Sequence, residues 1–443
     1  MPASISIKLS SWTHPGRTKP ALENIDVEIP AGQRVLIMGC SGSGKSTLLG
    51  ILAGLLHNNC EVSYSPAAPR IGMVLQDPET QVIYSRVGDD IAFGLENIGI
   101  PREQIWQRVA EAKIALGLDH LSNDQETVVL SGGQKQRMAI AGVLAMNPDI
   151  LVLDEPVANV DRDGSPLVAD SVQKAIEYCG ATTIIVDHDA ELWLNMVDRV
   201  LVLDAGQILY DLKPEELTGE YAQSIQALGL WLPGELPTND KKSPIPGESV
   251  LEAHDLAWGW DHVLGSSEHE SYAQGTSTII SGPNGIGKST HGLTLAGLLQ
   301  PLRGRLNPQV NKWKSKNLAA YIGYVFQDPN HQFLRATVEE ELNLGAIMTK
   351  TERQELLEKL GLEHYINVHP AMLSGGEKRR LSVATALVRT PAVLILDEPT
   401  FGLDRRTFGN LTVLLHEAQT KGSALISISH DPRYIQLFGG ENV

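Results

Sequence analysis

Three short strings, each met twice at one spacing, constrain this chain more than any average property. Gly39 to Thr47 reads GCSGSGKST and Gly282 to Thr290 reads GPNGIGKST; Leu130 to Arg137 reads LSGGQKQR and Leu373 to Arg380 reads LSGGEKRR. Asp154-Glu155-Pro156 returns as Asp397-Glu398-Pro399. The offsets agree, because 288 − 45, 374 − 131 and 397 − 154 are all 243. Gln76 and Gln327 lie 327 − 76 = 251 apart, so the second copy carries extra residues before this glutamine and correspondingly fewer after it. Balanced changes of that kind belong in loops or a variable subdomain. The period exceeds any solenoid unit, which makes the chain a duplicated domain. Residues 1–231 and 250–443 form the copies, and the proline-rich, aperiodic stretch 232–249 reads as a linker.

Within each copy, apolar runs alternate with helical patterns. Arg34 to Met38 and Ser277 to Ile280 lead into the glycine-rich turns, which open onto expected helices at Lys45 to Leu56 and Lys288 to Leu299. Ile150 to Leu153 and Val393 to Leu396 run into the acidic pairs, and Thr182 to Val186 and Ala424 to Ser429 run into His188 and His430. This is an α/β pattern: a mainly parallel sheet covered on both faces, with functional groups at the carboxyl ends of its strands.

The GxxxxGK[ST] string lets successive backbone N–H groups curl around phosphate oxygens, since glycine tolerates the dihedrals and leaves no side chain in the way. It assigns ATP contacts to Gly39, Ser41, Gly42, Gly44, Lys45, Ser46 and Thr47, and to Gly282, Asn284, Gly285, Gly287, Lys288, Ser289 and Thr290. The two lysines would bridge β and γ phosphates, and Ser46 and Ser289 would ligate Mg2+. Asp154 and Asp397, closing apolar strands, suit a carboxylate that holds the metal. Glu155 and Glu398 follow, each free to orient or deprotonate the attacking water. An isolated Asp-Glu pair is ordinarily a solvated strand end; a phosphate loop about 110 residues upstream in both copies favours chemistry. Ser131-Gly132-Gly133 and Ser374-Gly375-Gly376 precede amphipathic segments, where the serine can cap a helix whose free N–H groups face an anion.

Together the phosphate loop, the LSGG string and the Asp-Glu-Pro strand end resemble the ATP-binding-cassette (ABC) ATPases over nearly the whole chain. The resemblance implies two nucleotide-binding domains, each a parallel sheet core with a helical subdomain and an antiparallel β part. It implies head-to-tail pairing, in which Ser374, Gly375 and Gly376 complete the site of Lys45, while Ser131, Gly132 and Gly133 complete that of Lys288. His188 and His430 match the family's switch histidine. Gln76 and Gln327 match the loop glutamine that touches Mg2+ and passes the state of ATP to a transmembrane partner. Both copies keep the glutamate and the histidine, so neither site reads as degenerate. Departures are mild: Ala158 to Asp161 and Phe401 to Asp404 stand where the family has a small-small-Leu-Asp loop. Trp260 is placed to stack on the second adenine, with only Trp12 or His14 at the comparable place in the first copy. Cys40, inside the first phosphate loop, has Pro283 as its counterpart, so thiol alkylation would block that site alone if the sulfur were accessible. After His430 only 443 − 430 = 13 residues remain, too few for the strand pair that Arg199 to Leu203 and Gln207 to Leu209 suggest in the first copy.

The Gln-Asp-Pro-x-x-Gln run at Gln76 and Gln327, followed by Val87 to Asp90 and by VEEELNLG from Val338, resembles the ATPases of energy-coupling factor importers of vitamins and transition-metal ions. That implies a transmembrane coupling subunit and a membrane substrate-binding subunit as partners, and a peripheral place on the cytoplasmic face of the membrane. The other reading is a soluble tandem cassette acting on ribosomes or nucleic acid. Against it stand the short linker, three cysteines without metal spacing, and 36 cations against 53 anions, a net charge of −17. No segment reaches the roughly 18 apolar residues of a membrane span, and Met1 to Trp12 lacks a signal-peptide apolar block.

Overall fold

The structure, a computed structural model, describes the chain except residues 16–18, 57–60, 159, 161–163, 239–243, 284, 346–347, 401, 440 and 443. Asn284 and the loop residues Asn159, Asp161 and Phe401 thus lie outside the described residues. Two units emerge, Met1–Gly234 with Asp404–Arg406, and Glu235–Leu403 with Thr407–Val443.

In the first unit the apolar runs become strands buried on both faces, Arg34–Met38, Ile150–Asp154 and Thr182–Asp187. Continuous apolarity without alternation is what a helix-covered parallel sheet demands. The order across the sheet is Ile71–Val74, Ile150–Asp154, Thr182–Asp187, Arg34–Met38, Arg199–Asp204, all parallel, with Gln207–Leu212 antiparallel at the edge. A second sheet sets Ser4–Trp12 between Leu22–Ile29 and Glu61–Ser65, antiparallel throughout. Its alternating pattern turns Ile5, Ile7 and Leu9 inward against Leu48, Leu49 and Leu52 of the helix after the phosphate loop. Helices Val87–Asn97, Arg102–Ala115 and Gly132–Ala145 form the helical part around Ile91, Leu95, Val109 and Met138.

The second unit repeats this plan. Its parallel sheet runs Ile322–Val325, Val393–Asp397, Ala424–Ile428, Ser277–Ile280 and Glu441–Asn442. Ser249–Gly259, Val263–Ala273 and Arg303–Asn307 make the antiparallel sheet, and Val338–Gly345, Lys350–Leu360 and Gly375–Leu387 the helical part. After His430 comes a helix, Pro432–Phe438, and among the described residues no antiparallel pair succeeds it.

The helices expected to reach Leu56 and Leu299 stop at Leu52 and Leu295. An Ala-Gly pair ends each one: Gly54 and Gly297 take φ of 70° and 68°, the left-handed turn that closes a helix at little cost to glycine. One core difference separates the copies. Where the first unit buries Val27 and Leu48, the second buries Glu270 and His291 (270 − 27 and 291 − 48 are both 243), with His291 Nε2 3.1 Å from Glu270 Oε2 and the Tyr272 hydroxyl donating to the same oxygen at 2.8 Å.

Candidate functional site

Each phosphate loop leaves the carboxyl end of a buried strand and turns into a helix whose N-cap is a glycine, Gly44 or Gly287, with no side chain capping the first N–H groups. Those donors stay available to an anion. The turn depends on positive φ: 79° and 103° at Gly42 and Gly44, 78° and 97° at Gly285 and Gly287. At Gly44 space is also short, since a Cβ would stand 2.7 Å from the Ala21 carbonyl, whereas Gly42 has nothing within 4 Å. Lys45 Nζ donates back to the Gly39 and Cys40 carbonyls at 2.8 and 3.1 Å, and Lys288 Nζ to those of Gly282 and Pro283 at 2.7 and 2.9 Å. Both ammonium groups are thereby held at the mouth of the loop. The Cys40 thiol donates to the Leu228 carbonyl at 3.0 Å, and burial pushes its pKa up to about 12.

Glu155 and Glu398 sit one residue beyond their strands at φ of 41° and 48°, a left-handed conformation that L side chains avoid. The strain recurs at the same position in both copies, where each N–H donates to the adjacent strand, to Val186 or Ile428 O, at 2.9 Å. Strained non-glycine backbone of this kind concentrates at functional sites. In the first copy Gln76 Nε2 donates to Glu155 Oε2 at 2.8 Å, Lys45 Nζ lies 3.6 Å from Oε1 and His188 Nδ1 lies 3.9 Å from Oε2. The structure thus brings together four side chains that are far apart in sequence. In the second, Ser429 Oγ donates to Glu398 Oε2 at 3.4 Å.

Burial, then the neighbouring Glu155, raises Asp154 to about 6. Glu398 is raised to about 7 by burial and then by Asp397. Burial also raises Asp397, opposed by a hydrogen bond from Ser289 and the charges of Arg379 and Lys288. Two desolvated carboxyls side by side, one of them bonded to the phosphate-loop serine, form a hard-oxygen donor set with surplus negative charge, which fits Mg2+. Among the described residues no group of three or more His, Cys, Asp and Glu side chains is placed to hold a metal ion.

Ser131 and Ser374 cap their helices in reciprocal boxes with Gln134 and Glu377. Trp12 is buried in the core, while His14 Nε2 lies 3.0 Å from Thr47 Oγ1 at the first phosphate loop. Trp260 is 62% exposed; Trp258, two residues earlier, stacks on His291 with ring centroids 3.8 Å apart. Sequence reasoning missed Asp187, buried beside His188 and accepting from the Trp193 indole at 2.7 Å, and Arg379. A signal for both was present in the repeat, where Ser429 and Gln136 are the counterparts.

The loops after Gln76 and Gln327 meet the helices that follow them alike. Asp90 accepts from Ile83 N and Tyr84 N, and Glu341, at the matching place, from Leu334 N and Arg335 N, all within 2.9 Å. These carboxylates explain the acidic start of the helices Val87–Asn97 and Val338–Gly345. These carboxylates hold Ile83 and Leu334 in solvent, 57% and 78% exposed, and on the turns before the two signature helices another matched pair, Val129 and Met372, is 65% and 79% exposed.

Comparison with known proteins agrees with this geometry. The family described as ABC transporter matches residues 22–158 and 269–401. The chain is 32% identical to the "Putative HMP/thiamine import ATP-binding protein YkoD" of Bacillus subtilis, over 98% of this chain and 88% of that protein. It is 31% identical to an ABC transporter ATP-binding protein of Methanosarcina acetivorans, over 98% and 87% of the two chains. Among solved structures, the archaeal ribosome recycling factor aABCE1 in complex with stalk protein aP1 aligns over 98% of this chain and 86% of its own, with a TM-score of 0.66 at 22% identity, a likeness of fold. With two phosphate loops, two strained glutamates and two capped signature helices in matching places, this chain belongs to the ABC transporter family of ATPases.

Proposed function

We propose that the chain is the ATP-hydrolysing subunit of an importer of the energy-coupling factor type, working peripherally on the cytoplasmic face of a membrane with a transmembrane coupling subunit and a membrane substrate-binding subunit. The observation that carries this reading is the matched exposure of Ile83 with Leu334 and of Val129 with Met372. Large apolar side chains held in water at equivalent places of two diverged copies suit burial against a partner. Ile83 and Leu334 stand on the loops that begin at Gln76 and Gln327, so a partner there would feel the state of the glutamine. Similarity to YkoD, whose name concerns HMP/thiamine import, favours a vitamin over a metal ion as cargo. No helix among the described residues is long and apolar enough to cross a membrane, so other chains would supply the path.

In the chemistry proposed, the loop amides with Lys45 and Lys288 would bind the phosphates, and Ser46, Gln76 and Asp154, or Ser289, Gln327 and Asp397, would hold Mg2+. The ion would offset phosphate charge when bound. Glu155 and Glu398 orient and deprotonate water, His188 and His430 steady it, and the signatures would pair head to tail with the phosphate loops, as the family resemblance implies. Positioning and charge do most of the work.

Detergent co-purification of the full-length chain from its native membrane tests the reading. Recovery of a polytopic membrane protein is expected. Recovery of ribosomes or nucleic acid instead would overturn it.

A further inference from the structure

The two parallel sheets end alike, but the loops that leave them are secured differently. In the second unit the ladder between Ile322–Val325 and Val393–Asp397 stops at Val325 and Leu396, leaving the carbonyls of Phe326 and Gln327 beyond it. A carbonyl that leaves the ladder needs another donor, from protein or from water. Arg379, on the helix that Ser374 caps, is 6% exposed and supplies the donors: its guanidinium donates to Phe326 O at 2.9 Å, Gln327 O at 2.6 Å and Asp397 O at 3.5 Å. One planar fork thus joins the signature helix, the loop glutamine and the end of the catalytic strand. Gln332 ties the far end of the same loop to the same helix, its Nε2 donating to Ser382 O at 2.8 Å and its Oε1 accepting from Ser382 Oγ at 2.6 Å.

The first unit lacks this double tie. Gln136 stands at the place of Arg379 and reaches only Leu75 O, at 3.4 Å, while its Oε1 finds no partner among the described residues. Gln81, the counterpart of Gln332, bonds back to its own strand, to Met73 O and Leu75 N. The helix holds this loop through Lys135 and Glu79, a pair whose carboxylate is largely exposed.

We propose that Arg379 is a positioning residue of the second ATP site. It fixes the backbone of Gln327 relative to Asp397 and Glu398 through the main chain, whereas the first site holds its glutamine through the side-chain bond from Gln76 to Glu155. A lysine cannot reproduce this, because its donors radiate from one nitrogen, whereas the guanidinium reaches these carbonyls from two nitrogens fixed in one plane. The inference rests on the reading of Glu155 and Glu398 as the water-activating carboxylates.

ATPase assays on the full-length chain test it, with one site silenced at a time. In a Glu155→Gln background, Arg379→Gln is expected to lower kcat about tenfold with KM for ATP changed less than about twofold; Arg379→Lys recovers only part of the loss. Glutamine is native at this place in the first copy, which favours folding. Should that variant still fail to fold, the reverse change decides: Gln136→Arg in a Glu398→Gln background is expected to raise first-site kcat severalfold at constant KM. An unchanged kcat in the folded Arg379→Gln protein, or a fall matched by a rise in KM and a lower melting temperature, overturns the positioning role. The Glu155→Gln, Glu398→Gln double variant separates the two readings, since persistent turnover there refutes the carboxylate assignment whatever Arg379 does.

Discussion

Glu398 combines a strained backbone with a carboxyl whose pKa, roughly 4.3 when unperturbed, is raised to about 7 by burial and by Asp397. Between those values the folded protein keeps a proton that the unfolded chain has released, so this residue's contribution to stability falls as pH rises through the window. Above about pH 7 the full cost is present, on the order of 4 kcal/mol. Glu398→Gln is therefore expected to raise the melting temperature at pH 8 and to change it little at pH 5; equal effects at both would contradict the raised carboxyl. Cys40 makes the opposite kind of statement. With its thiol pushed up to about 12 and bonded to Leu228 O, little thiolate exists near neutrality, and maleimide is expected to label it at least about a hundredfold more slowly than an exposed cysteine. Rapid labelling would show that the sulfur is not held there.

At the scale of elements, the phosphate loops offer a graded test of backbone against space. Gly42→Ala meets only the dihedral penalty, about 1–2 kcal/mol, whereas Gly44→Ala adds a clash with Ala21 O and is expected to cost about 3 kcal/mol or more. Denaturant melts of the two variants check the order; equal losses would mean that the loop can shift away from Ala21. The strands around these loops were legible because apolar runs buried on both faces tolerate little else, and the helix starts because GKS leaves one way to turn. The helix ends were overrun, since Ala-Gly signals act through a dihedral that apolar periodicity does not register. Arg379 and Asp187 were passed over because their partners are backbone carbonyls, amides and an indole, none of which forms a string. The bond from Gln76 to Glu155 spans 155 − 76 = 79 residues and becomes apparent only when the strands are set side by side.

For the whole molecule, the exposed matched pairs carry a separate expectation. Ile83→Asp with Leu334→Asp is expected to cut recovery with a membrane partner at least about tenfold while shifting stability by no more than about 0.5 kcal/mol, as surface changes usually do. Undiminished recovery would place the partner elsewhere. The duplication, the α/β class and the two-cassette plan came from strings whose spacing survived divergence; the cargo leaves no trace in these residues.

The buried pair Glu270 and His291 bears on how the two halves of this gene can change. They are 291 − 270 = 21 residues apart, and the other half has Val27 and Leu48 in their places. Recombination between the halves by a tract that covers one of these positions and not the other would separate the pair, and leaving Glu270 buried alone would cost about 3–5 kcal/mol. The fold thereby resists homogenisation by short exchanges, and two sequences that began identical are kept free to go on diverging.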